Sequence, residues 1–148
     1  MDTPDRTAAL QRLDALAGEW TTESGHPFEP DTRVTGRVSF EWLDGGFFLI
    51  GHSTVDHPDF PSALQVIGCD EAGERCSMHF FDSRGVSRVY EMSLHDGVWT
   101  MWRDDPDFAQ RYKGTFSEDR STIEGAWERS IDGPALQHDF DLSYTKVA

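Results

Sequence analysis

Arg88, Tyr112 and His138 are polar side chains on faces where every second residue is otherwise mostly apolar or glycine. His138, for example, sits between Leu136 and Phe140. A guanidinium, a phenol and an imidazole in apolar surroundings can orient the polar end of a small molecule. The same three groups could supply acid/base or oxyanion-stabilising chemistry to an isomerase, cyclase or hydratase. His138 also admits a plainer reading, as a core histidine satisfied by a hydrogen bond. Other constellations carry less. His52 and His57 lie near Asp56 and Asp59, but their spacing matches no metal template and Pro58 marks a surface loop, so no metal is expected. Asp104, Asp105 and Asp107 lack the ligand spacing and the glycine of a calcium loop. Glu91, Glu124 and Glu128 fall opposite the apolar face of their strands, which argues against a carboxylate pair inside the fold. Neither a nucleophile elbow nor a phosphate-binding glycine loop occurs. Cys69 and Cys76 flank a short turn and could face each other across it; the expectation is that both stay reduced.

The elements that must position these groups follow from hydrophobic period. Thr3 suits an N-cap, Pro4 the first helical position and Asp5 the first turn. Leu10, Leu13 and Ala17, with Leu16 beside them, form an apolar stripe that Gly18 ends, predicting a helix over about 4–17. The period then changes to two. Val34, Gly36, Val38, Phe40 and Trp42 alternate with Arg33, Thr35, Arg37, Ser39 and Glu41, and Asp44-Gly45-Gly46 turns the chain into Phe47–His52. Similar segments at 63–69, 75–82, 86–94, 98–103, 108–116, 122–130 and 136–145, with a first strand at 19–22, make about ten strands joined by short turns.

A meander of that length closes on itself, because closure removes both exposed edges. The predicted fold class is therefore all-β: an up-and-down antiparallel β-barrel of about ten strands over 18–146, behind a short N-terminal helix, in a single domain spanning 1–148. A two-sheet sandwich is the main competitor. Alternation points Val38, Phe40, Trp42, Phe80, Tyr90, Met92, Trp102, Tyr112, Trp127, His138, Phe140 and Tyr144 to one side. Gly36, Gly114 and Gly125 share that face and either make room or relieve bending. Phe40, Trp42, Phe80, Arg88, Tyr90, Trp102, Tyr112, Trp127, His138 and Phe140 are the candidate ligand-binding residues. The alternative is that the aromatics simply fill the barrel.

A short helix leading into Gly18-Glu19-Trp20 at the start of a β-meander resembles the calycin superfamily of lipocalins and fatty-acid-binding proteins. Leu13–Trp20, the hairpin from Phe40-Glu41-Trp42 to Phe48, Phe81-Asp82-Ser83, Tyr112–Phe116 and Asp139–Tyr144 are similar to uncharacterised bacterial lipocalin-like proteins. The resemblance implies a barrel that holds a small hydrophobic or amphipathic molecule without transforming it. It also implies a cation over Trp20, from Arg129 or Lys146. Nitrobindin, within the broad calycin group, implies a haem alternative through His138. Its glycine-rich opening departs here, Gly18-Glu19-Trp20 being followed by Thr21-Thr22. No other cofactor is expected.

Composition narrows the partners. The 148 residues carry 13 Lys+Arg against 27 Asp+Glu, a net charge of −14, which disfavours nucleic acid and anionic membrane surfaces. Ten Phe, five Trp and three Tyr are enough to build a core despite that charge. The polar start Met1–Arg6 has no apolar stretch behind it, and no run approaches the roughly 18 apolar residues of a membrane span, so a cytoplasmic protein is expected. Phe47, Phe48 and Trp99 are read as lying outside the core face, where they could form an interface; the expectation is a monomer or homodimer.

Overall fold

The computed structural model describes residues 4–26, 29–130 and 135–147. The Thr3 cap and most of the turn expected at 131–135 lie outside the described residues. Helix α1 runs Pro4–Leu13 and tightens into a 3-10 turn at Asp14–Leu16, after which Ala17 is already extended. Ala9, Leu10, Leu13 and Leu16 are buried, as the apolar stripe requires. No helix among the described residues is long and apolar enough to cross a membrane.

Ten strands follow: β1 Gly18–His26, β2 Glu29–Trp42, β3 Leu49–Val55, β4 Ala63–Cys69, β5 Cys76–Asp82, β6 Ser87–His95, β7 Val98–Arg103, β8 Gln110–Phe116, β9 Thr122–Ser130 and β10 Leu136–Lys146. Each pairs antiparallel with its neighbours in sequence, and β1 pairs with β10, so the sheet is a closed barrel. That closure excludes the sandwich. At the seam Trp20 faces Lys146, whose ammonium lies 5.3 Å from the indole ring. Lys146 is thus the cation over Trp20. Arg129 lies instead near Asp139, with Nε 3.5 Å from the carboxylate.

The barrel has two unlike ends. Under α1, Trp20, Phe40, Leu49, Ile67, Trp99, Tyr112 and Ile123 are all but inaccessible to solvent. Trp20 Nε1 donates to the Leu16 carbonyl (2.8 Å) and Trp42 Nε1 to Asp14 Oδ1 (2.8 Å), tying the helical segment to the strands. The inward glycines make room for rings in this half: a Cβ on Gly114 would come within 2.6 Å of the Tyr112 hydroxyl, and one on Gly51 within 2.6 Å of the Phe40 ring. Their missing side chains are filled volume.

Four expectations need correction. Trp99 is buried inside the barrel, and Trp102 is on the outer face, where its Nε1 donates to Glu91 Oε2 (3.0 Å). Both faces of β7 are apolar, so alternation alone cannot choose between them. The tight turn at Asp96-Gly97 chooses, because it sets Trp99 opposite inward Leu94 and Met101 opposite inward Met92. His138 is also outside, hydrogen-bonded to Asp141 (2.9 Å), because β10 carries a bulge between His138 and Phe140 that inverts its phase. Cys69 and Cys76 are direct register partners and are joined as a disulfide, where free thiols were expected. Finally, Phe47 and Phe48 belong to the β2–β3 connection. Phe47, expected outside the core face, is half-buried near α1 with the Arg6 guanidinium over its ring, whereas Phe48 is exposed as expected.

Candidate functional site

The end of the barrel away from α1 is hollow. A cavity of about 500 Å³ lies there, within the range of small-molecule sites. Its floor is aromatic: Trp99, Trp127 and Tyr144 border it, and Tyr112 lies behind them, with ring centroids 5.4 Å from both Trp99 and Trp127. Met78, Phe80, Met101, Phe140 and Leu142 supply apolar wall, each projected inward by the period of two along its strand.

Polar groups gather on one side of that wall. Gln110 Oε1 accepts from the Tyr90 hydroxyl (2.7 Å) and from Arg88 Nη1 (3.3 Å). The Arg88 guanidinium also lies 5.4 Å from the Phe108 ring centroid. Among the described residues no carboxylate comes within ion-pair distance of Arg88, although its neighbour Arg84 is paired with Asp82 at 2.7 Å. The Trp99 indole N–H has no hydrogen-bond partner among the described residues. Burial pushes the Tyr90 phenol above its usual range, with Arg88 opposing the shift. Tyr112 and Tyr144 are pushed up more strongly, again by burial. These phenols therefore stay neutral at physiological pH.

Of the ten candidate residues, Phe80, Arg88, Tyr90, Trp127 and Phe140 line the cavity. Phe40 and Tyr112 belong to the packed half, where the Tyr112 hydroxyl donates to the Leu142 carbonyl (3.1 Å). Trp42 lies at the helical end, Trp102 and His138 on the exterior. Arg88, Tyr112 and His138, the three groups an enzyme reading needs together, do not converge. The haem reading meets the same obstacle, because its axial ligand points away from the cavity.

Sequence reasoning missed Gln110, Met78, Met101 and Trp99 as wall residues, and His26, Asp59 and Phe60 at the rim. Met78 and Met101 were readable, since they face Tyr90 and Met92 across their ladders. His26 was not. It follows an irregularity in β1 between Gly25 and His26, and its companions His57 and Asp59 come from a different connection.

Comparison with known proteins sets this geometry in context. No curated protein matches the chain. The crystal structure of Rv2717c from M. tuberculosis is similar over 100% of both chains, with a TM-score of 0.65 at 16% identity, a likeness of fold. Residues 6–101 match the family described as "Protein of unknown function (DUF1579)". The chain belongs to that family.

Proposed function

We propose that this chain is a calycin-like binding protein that holds a small amphipathic molecule, apolar body inward and anionic head at Arg88. One observation carries the reading: a mostly apolar cavity of about 500 Å³ contains a half-buried arginine whose hydrogen-bond partner is the neutral amide of Gln110. A buried or half-buried guanidinium is stabilised by an anionic partner, and a ligand carboxylate would provide a bidentate one. The aromatic floor matches an apolar body.

Titration with decanoic acid and with 1-decanol, followed by tryptophan emission, tests this directly, because Trp99 and Trp127 border the cavity. The acid is expected to bind more tightly than the alcohol. Arg88→Gln is expected to weaken the acid by about tenfold or more and to leave the alcohol nearly unchanged, the loss of one charge-assisted contact. Equal affinities of wild type and Arg88→Gln for the acid would remove Arg88 from the head-group site.

A further inference from the structure

At the rim of the cavity, the facing ends of β1 and β2 and the β3–β4 connection bring metal-capable side chains together. His26 ends β1 and, after the irregularity between Gly25 and His26, stands opposite Glu29 at the start of β2. His57 and Asp59 come from the β3–β4 connection. His26 Nε2 lies 3.1 Å from Asp59 Oδ2 and 3.6 Å from Glu29 Oε2. His57 Nε2 lies 4.0 Å from the same Glu29 oxygen, and His57 Nδ1 lies 3.8 Å from Asp59 Oδ2. A tetrahedral ion with ligand bonds of about 2.0–2.2 Å sets its donor atoms about 3.3–3.6 Å apart. His26, His57 and Asp59 each offer one donor atom within 4.8 Å of the other two, so small side-chain rotations close them on one ion, and Glu29 stands beside His26 as a further carboxylate.

The surroundings favour a built site over a chance encounter of surface acids. The His26 side chain is only 6% exposed, so its imidazole is held by the fold. Phe60 meets both imidazoles edge-on, at centroid distances of 5.4 and 5.6 Å, and the two rings are 5.2 Å from each other. The Asp59 backbone N–H donates to His57 Nδ1 (3.1 Å), which holds that ring against the cluster. A metal on either His57 nitrogen replaces this bond, by direct ligation of Nδ1 or by moving the ring proton there from Nε2.

We propose that His26, His57 and Asp59, with Glu29 beside them, form a binding site for one divalent cation of the zinc class, joining the end of β1 to the β3–β4 connection at the cavity mouth. Two imidazoles with a carboxylate suit a borderline ion of this kind better than calcium or magnesium, which prefer all-oxygen ligands. The expectation of no metal weighed His52, His57, Asp56 and Asp59 as neighbours in sequence; the ligand that changes the outcome, His26, comes from another hairpin.

The test uses the untagged full chain and two probes, Zn²⁺ by calorimetry and Co²⁺ by visible absorption. One equivalent of Zn²⁺ per chain is expected, with Co²⁺ giving the intense bands of a four-coordinate site. His57→Ala and Asp59→Asn should each weaken binding by at least about 100-fold, beyond the loss usual for a supporting partner. Both changes lie on a surface connection, and an unchanged circular dichroism spectrum would show that the barrel is intact. His52→Ala and His138→Ala, which alter exposed histidines outside the cluster, should bind as wild type does. Absence of saturable Zn²⁺ binding, or binding indifferent to His57→Ala and Asp59→Asn, would overturn the proposal. Neither result bears on the decanoic acid titration.

Discussion

In the half of the barrel under α1, rings and aliphatic side chains occupy the interior completely, and even the inward glycines are covered by Tyr112 and Phe40. In the other half the same ten strands enclose about 500 Å³ bounded by Trp127, Phe140 and two methionines, with Arg88, Tyr90 and Gln110 on one wall. Barrel closure sets a radius common to both halves; which side chains project inward decides whether that radius becomes core or cavity. Buried packing is thereby concentrated where α1 covers the barrel, and the other end is left hollow. The irregular features follow the same division. The bulge in β10, the irregularity at the end of β1 and the converging histidines all lie toward the open end.

Truncation should separate the halves most sharply. Tyr112→Ala removes a fully buried ring and is expected to cost about 3–5 kcal/mol in urea denaturation. Phe140→Ala, half-buried at the cavity wall, should cost no more than about 1–2 kcal/mol while weakening decanoic acid strongly. Similar stability losses at the two sites would break the distinction. A smaller effect is expected from Cys69→Ser combined with Cys76→Ser. Opening that short loop should lower stability by about 2 kcal/mol and leave ligand affinity unchanged. A change in affinity would show that the disulfide also shapes the cavity.

The smallest expected effect sharpens the comparison through pH. Asp119, in the β8–β9 turn at the helical end, accepts from Ser117 Oγ (2.7 Å), Ser121 Oγ (2.7 Å) and the Ser121 N–H (3.0 Å). These hydrogen bonds, the Ser121 hydroxyl first, hold its carboxyl down at about 2. The folded chain therefore keeps this proton off where the unfolded chain takes it up. Its stabilising contribution is complete above the ordinary aspartate value of about 3.9 and is lost as pH falls toward 2. Asp119→Ala should flatten that part of the acid limb in urea midpoints measured between about pH 4 and pH 2, with no change in ligand affinity near neutrality.

The barrel was legible because period-two alternation and short turns persist from Trp20 to Tyr144, and ten such segments leave closure as the economical arrangement. The cavity was legible only in part. Phe80, Tyr90, Trp127 and Phe140 lie on strands whose two faces differ clearly in polarity. Trp99 and Trp102 do not, and there the two-residue turn at Asp96-Gly97 held the missing information through register. His138 was misplaced by a single extra residue in β10, a local event with no effect on composition or period. Gln110 and His26 act through partners on other strands or connections, so no window of sequence contains their role.

The central claim is that the open half is a ligand cavity, and filling it is the most direct test. Ala63 lines the wall near its mouth, and Ala63→Phe places a ring in the volume while leaving the helical half untouched. Decanoic acid titrated into both proteins, read by tryptophan emission, should give saturable one-to-one binding to wild type. The filled variant, at equal or greater stability, should show none. Binding by Ala63→Phe with wild-type affinity, or no saturable response from wild type to either decanoic acid or 1-decanol, would contradict the account.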